Sequence, residues 1–217
     1  VLSAVGIVAG YRRGTPVLDG VDLAVEPGRV VGLAGPSGCG KSTLARVLSL
    51  LMAPWAGRVE IDGTPAGGAR YRAPRAQRTA IGVVFQQPRL ATDPRLTLGE
   101  IVAEPLLATG RGRDPAWEDE LHDRVGLTRE LLGRRPHEVS DGQLQRACLA
   151  RALVLRPRYL VCDEMTAMLD ASTTAALAGV VAEQARAGTG VLAVSHDEEL
   201  LEVWADRVER PWAGSAA

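Results

Sequence analysis

Lysine is almost missing from this chain. Of its 25 basic residues only Lys41 is a lysine and the rest are arginine. On most solvated surfaces the two are exchangeable, so a general drift to arginine is tolerable. At a site that needs a compact ammonium on a flexible stem they are not equivalent. Long apolar runs are missing too: none reaches the ~18 residues that crossing a bilayer requires. The opening VLSAVGIVAG has no basic leader and is not expected to be a signal peptide. The chain is therefore expected in the cytoplasm, with any membrane role depending on a partner that spans. A charge excess is absent, with a formal net charge of -1, which removes the electrostatic case for nucleic acid as main partner. The 3 cysteines, Cys39, Cys148 and Cys162, lie far apart, and no pair has metal-ligand or redox spacing. No internal repeat or low-complexity linker occurs.

The 217 residues, 46% of them hydrophobic, suffice for one sizeable core. Strand-like and helix-like stretches alternate, which predicts an α/β fold. Val17 to Val25 alternates apolar with polar residues, and Arg29 to Ala34 is a continuous apolar run of the buried parallel kind. A glycine-rich turn follows it, then STLARVLSLLM with apolar residues at helical spacing. Gly57 to Ile61, Ile81 to Phe85, Arg158 to Cys162 and Gly190 to Ser195 predict further strands, and Thr173 to Ala187 a helix. Thr64 to Arg78 reads as a loop. From about Leu98 to Ala152 the pattern is helical and broken at Pro105, Pro115 and Pro136.

Gly35-Pro36-Ser37-Gly38-Cys39-Gly40-Lys41-Ser42 fits the phosphate-loop pattern, between a predicted strand and a predicted helix. Its glycines allow backbone N–H groups to turn inward, and the helix start adds a positive dipole end. Lys41 would reach the β- and γ-phosphates of ATP, and the Ser42 hydroxyl would hold Mg²⁺. YLVCDE then delivers Asp163 and Glu164 at a strand end. Asp163 would fix Mg²⁺, and Glu164 would orient and deprotonate the attacking water. His196 ends another apolar run. A lone histidine there is more often structural, but this strand points to the same sheet edge, where His196 would donate to the γ-phosphate.

With these residues in place the chain resembles the ATP-binding-cassette ATPases over nearly its whole length. GPSGCGKST, ending at Thr43, resembles their phosphate loop, and YLVCDE their Mg²⁺ and base segment. The resemblance implies a P-loop NTPase of class α/β: a RecA-like core with an antiparallel β-subdomain, interrupted by a helical signature subdomain. It would form one domain over residues 1–217, with the core near 1–88 and 153–217 and the helical part near 89–152. It implies that Tyr11 stacks on adenine and that Gln86, in VVFQQP, touches Mg²⁺ and the lining of the membrane partner. VSDGQLQRACLARAL resembles the family signature, so Ser140, Asp141, Gly142 and Gln143 would face the ATP of a partner. Met168 to Asp170 matches the D-loop, and His196 the switch histidine. The implied partners are a second ATPase subunit, identical or different, packed head to tail; two transmembrane permease subunits; and an extracytoplasmic substrate-binding protein. The implied place is the cytoplasmic face of the membrane.

Asp141 departs from the family, which usually has glycine there. A carboxylate near three phosphates is unfavourable unless it points away or is paired. Either it faces a loop or an arginine such as Arg146 and hydrolysis is normal, or it weakens the site given to the partner. EMTAMLD also departs from the usual EPTSALD, and ERPWAGSAA predicts a shortened last sheet edge. Phe85 to Leu107 and the stretch around the signature resemble the oligopeptide, dipeptide and nickel importer branch. Two alternatives stand beside that reading: a low-turnover regulatory cassette, and a soluble cassette ATPase acting on ribosomes or DNA. The latter usually has two cassettes or a long coiled-coil insert, and this chain has neither.

Overall fold

The computed structural model describes residues 1–12, 14–167 and 169–211. Its elements run β1 (Leu2–Ala9), β2 (Leu18–Val25), β3 (Val30–Leu33), α1 (Lys41–Leu48), β4 (Ala56–Ile61), β5 (Thr64–Pro65), α2 (Arg75–Arg78), β6 (Ile81–Val84) and α3 (Leu98–Thr109). There follow α4 (Pro115–Val125), α5 (Arg129–Leu132), α6 (Asp141–Leu153), β7 (Tyr159–Asp163), α7 (Ala171–Arg186), β8 (Gly190–Val194), α8 (Glu198–Trp204) and β9 (Arg207–Glu209).

Two sheets result. One is antiparallel, in the order β2-β1-β4-β5, and the other is five-stranded, β6-β7-β8-β3-β9, with every neighbouring pair parallel. The inner strands β3, β7 and β8 are buried along their length because both faces are covered, whereas the edge strand β9 reads Arg207-Val208-Glu209 and is only half-buried. Their alternating side chains divide between two cores. Val30, Leu160, Cys162, Val191 and Ala193 pack with the helices α3, α4, α6 and α7. Val31, Leu33, Tyr159, Val161, Leu192 and Val194 pack with α1 and the antiparallel sheet. The helical segment shares its core with the sheet: Leu98, Ile101, Leu144 and Leu149 join Val84 and Leu160 in one cluster.

Several expectations are corrected. VLSAVGIVAG, given no element above, is β1, the strand between β2 and β4. Thr64 to Arg78 is not all loop; it holds β5, a 3-10 turn at Arg70–Arg72 and α2. Pro105 does not break its helix, since α3 runs on to Thr109, whose hydroxyl donates to the Pro105 carbonyl at 2.6 Å. Pro115 and Pro136 do sit at helix starts, where a missing N–H costs nothing. At the C-terminus β9 adds a three-residue edge strand beside β3, preceded by the unforeseen α8. Met168 and residues 212–217, part of the D-loop and C-terminal readings, lie outside the described residues.

Candidate active site

Parallel pairing puts the carboxyl ends of β6, β7, β8 and β3 on one edge, where open α/β sheets bind ligands. Asp163 pairs with Val194, and Val194 with Leu33, so the loops that follow β7, β8 and β3 leave at one level. Four loops thus converge: the phosphate loop after β3, Gln86 after β6, Glu164 after β7 and His196 after β8.

The phosphate loop owes its shape to glycine. Gly38 and Gly40 have φ of 82° and 108°, in the left-handed region. A Cβ on Gly40 would also lie 2.7 Å from Leu18 Cδ2. Gly40 caps α1 without a side-chain bond, so the helix start keeps its first N–H groups for an anion. Lys41 is buried, and its Nζ donates to the carbonyls of Gly35 at 2.6 Å and Pro36 at 3.0 Å. Ser37, Gly38, Gly40 to Thr43, Tyr11, Val17 and Glu164 line a cavity of ≈ 290 Å³. Cys39 is half-buried within the loop, and its N–H donates to Pro36.

Ser42 Oγ donates to Asp163 Oδ1 at 2.9 Å. Asp163 is buried, and burial raises its carboxyl pKa above the usual range; the Ser42 hydrogen bond lowers it and the Glu164 charge raises it further. A buried carboxylate beside a hydroxyl, held at that cost, fits a divalent cation with oxygen ligands. Glu164 has φ of 50°, a left-handed conformation that costs a non-glycine residue about 1 kcal/mol. That turn carries its carboxylate away from the strand, while its N–H stays on the Val194 carbonyl at 3.0 Å. Gln86 Nε2 donates to Glu164 Oε2 at 2.7 Å, and His196 Nδ1 lies 3.7 Å from the same oxygen. Gln86, expected on Mg²⁺, therefore has its amide on Glu164.

Tyr11 is 62% exposed at the mouth of this cavity. Its hydroxyl lies 3.3 Å from Thr43 Oγ1 and accepts from Arg46 Nη1 at 2.9 Å. Asp170 caps α7, accepting from the Thr173 N–H at 2.9 Å and hydroxyl at 2.8 Å, bonds that lower its pKa. The signature residues do not line the cavity. Ser140 caps α6, its Oγ accepting from Gln143 N while Gln143 Oε1 accepts from Ser140 N at 3.0 Å. Gly142 lies against Thr173 and Leu169, and a Cβ there would meet Thr173 Cγ2 at 3.2 Å. Asp141 is paired, but with Arg89 at 2.7 Å; Arg146 instead donates to the Val125 carbonyl at 3.0 Å. Arg146 points from α6 toward the end of α4, so it is not in reach as foreseen.

Three residues escaped the sequence reading. Arg46 stands one helical turn beyond Ser42, a spacing that places both on one face. Arg89 follows Gln86 by three residues. Gln145 is a fully buried polar residue on α6 whose Nε2 donates to the carbonyls of Phe85 and Met165, both at 3.0 Å. Polar residues on an apolar helix face are the signal that would have found it.

The profile of the ABC transporter family matches residues 18–167. The "Probable peptide ABC transporter ATP-binding protein y4tS" of Sinorhizobium fredii is 36% identical over 212 residues, covering 94% of this chain and 60% of that protein. The nickel import ATP-binding protein NikE of Escherichia coli K12 is 38% identical over 203 residues, covering 92% of this chain and 76% of that one. This chain thus spans well under two thirds of the first relative and about three quarters of the second. Among solved structures, a dimeric post-hydrolysis state of the ATP-binding cassette MJ0796 bound to ADP and Pi superposes with a TM-score of 0.85. It is 28% identical, covering 97% of this chain and 94% of that one.

Proposed function

We propose, from the premise that this chain belongs to the ABC transporter family, that it is the ATP-binding and ATP-hydrolysing subunit of a membrane importer. The observation that carries the reading is the joining of phosphate loop and carboxylates. Ser42 bonds Asp163 at 2.9 Å, and Glu164, one residue on, borders the same cavity. ATP would lie with its phosphates on the N–H groups of residues 38–43, its γ-phosphate toward Lys41 and its adenine toward Tyr11. Lys41 would exchange the Gly35 and Pro36 carbonyls for phosphate oxygens. Ser42 and Asp163 would hold Mg²⁺, with Gln86 nearby, and the ion would supply neutralisation of charge on the phosphates. Glu164 would accept the proton of the attacking water. Gln86 fixes one of its oxygens, leaving the other for that proton. His196 would steady the γ-phosphate from the β8 side.

Ser140 to Gln143 would complete the site of a second cassette, identical or different. That second cassette, two permeases and an extracytoplasmic binding protein are the proposed assembly, at the cytoplasmic face of the membrane. No described helix is long and apolar enough to cross a bilayer, so transport depends on such partners. The named relatives support peptides or nickel, free or chelated, as cargo. The core near 1–88 and 153–217 would carry the nucleotide, and the helical part near 89–152 the signature. A low-turnover regulatory cassette was motivated by Asp141, and the pairing with Arg89 weakens that motive.

The test is ATP turnover with Mg²⁺ by the assembled transporter, wild type against Lys41→Ala. A loss of about 100-fold or more is expected, the scale of a lost phosphate clamp. Equal turnover in the two would refute the assignment of the phosphate loop.

A further inference from the structure

Arg89 lies in the 3-10 turn Pro88–Leu90, just beyond Gln86. Its guanidinium places every arm on the segment that enters α6. Nε donates to Asp141 Oδ1 at 2.7 Å, Nη1 to the Pro136 carbonyl at 2.6 Å and Nη2 to the Val139 carbonyl at 3.0 Å. Two side chains of α6 cross in the opposite direction. Gln145 holds the Phe85 carbonyl at 3.0 Å, and Arg151 Nη1 holds that of Ala91 at 2.6 Å. Residues 85–91 and the signature helix are thus strapped together from both sides.

Asp141 opens α6, where the aligned N–H groups favour an anion. A bare carboxylate at that position opposes any phosphate brought to the helix start. A guanidinium on the same carboxylate restores the balance. Both partners are nearly half exposed, at 45% and 44%, so the pair adds little to folding stability. Its effect falls on a highly charged ligand placed beside it.

We infer that Arg89 is a positioning residue for ATP hydrolysis, neutralising Asp141 and fixing the entry to α6 so that Ser140 and Gly142 meet the nucleotide of a second cassette. The inference rests on the reading above that the signature faces such a nucleotide. It explains how this chain carries an acid in its signature without forfeiting the anion site. It also makes the turn after Gln86 and the signature one mechanical unit.

The test is the KM for ATP of the assembled transporter. R89A should raise KM about tenfold, with kcat changed less. Adding D141N to R89A should bring KM back to within about threefold of wild type, because the repelling charge is then gone. A tether that merely held carbonyls would not be rescued in this way, and failure of the rescue overturns the inference. Should R89A not fold, R89K and R89Q pose the same question. The lysine variant, which keeps the charge but not the three-armed hold, should stay within about threefold of wild-type KM and the glutamine variant raise it about tenfold; equal KM values in the two overturn it. Lys41→Ala, measured alongside, separates the failures. Turnover indifferent to Lys41 removes the ATPase reading itself, whereas Lys41-dependent turnover indifferent to Arg89 removes only this pair.

Discussion

Lys41 and Asp163 show how single residues are held against their own preferences. Lys41 is the only lysine in the chain, and it is buried with carbonyls as its acceptors. A planar, bulkier guanidinium lacks the compact point charge and rotatable donors that this site uses, which accounts for a lysine here where every other basic position holds arginine. Asp163 is the converse case, a carboxylate whose pKa burial raises. An acid with a raised folded-state pKa holds its proton more tightly folded than unfolded. At neutral pH its ionised form therefore opposes folding, and the opposition is relieved as pH falls through the folded-state pKa. Asp163→Asn should raise the Tm of the nucleotide-free chain at pH 7 by about 2–4 °C, the shift that ~1 kcal/mol gives at this size. The same variant should lose the added Tm that MgATP confers on wild type. Thermal melts at pH 5 and 7, with and without MgATP, check both. An unchanged Tm at pH 7 would show that Asp163 is not strained as its burial implies.

At the scale of elements, the fit between β6 and the end of α6 is set by one missing side chain. A Cβ on Gly82 would lie 2.5 Å from the Ala152 carbonyl and 3.1 Å from Pro157 Cγ. Gly82→Ala would have to push α6 off the sheet, breaking the cluster that joins Leu149 and Leu153 to Val84. The expected loss is about 2 kcal/mol, or roughly 4–8 °C of Tm, readable by calorimetry. A melt at the wild-type temperature would mean that helix and strand part freely. Such close approaches are invisible in sequence, where Gly82 is only a glycine in a strand. The parallel strands β3, β6, β7 and β8 and the helix α7 were legible because their apolar runs are long or periodic, whereas the charged edge strand β9 was not. The phosphate loop and Asp163–Glu164 were legible because a glycine-rich strand-to-helix turn and a carboxylate pair at a strand end are local patterns written in consecutive residues. β1 was not, because VLSAVGIVAG lacks the alternation of a half-buried strand and carries Gly6 at φ 58° among register shifts. α8 was missed as a short helix beyond the last motif. Pro105 misled because proline argues for a break, while α3, capped by the Thr97–Glu100 box, is held by a buried face that outweighs one lost hydrogen bond. Arg89 escaped because its partner is 52 residues away, a pairing that only the fold creates.

Across the whole molecule, the chemistry is divided between two places that the chain does not join. Lys41, Ser42 and Glu164 border the nucleotide cavity, while Ser140 to Gln143 are absent from its lining and cap α6 instead. A half-site of each kind on one chain is what the proposed head-to-tail pair would require, each cassette giving its signature to the other's ATP. In the proposed pair the triphosphate would bridge two rigid bodies, and closure would last as long as the γ-phosphate does. Stopping hydrolysis without weakening binding should therefore trap the closed pair. Glu164→Gln does this with the least change, since the amide keeps the size of the side chain and the Gln86 contact but cannot take a proton. With ATP and Mg²⁺ the variant should show by light scattering twice the 23.0 kDa of one chain when alone, or 23.0 kDa plus the partner's mass with a sister ATPase. ADP should leave it at one. The wild type should form the pair only transiently, because turnover dissolves it. A variant that binds ATP yet stays single with either partner would separate nucleotide binding from closure. The signature at Ser140 to Gln143 would then need a different role from the one its position suggests.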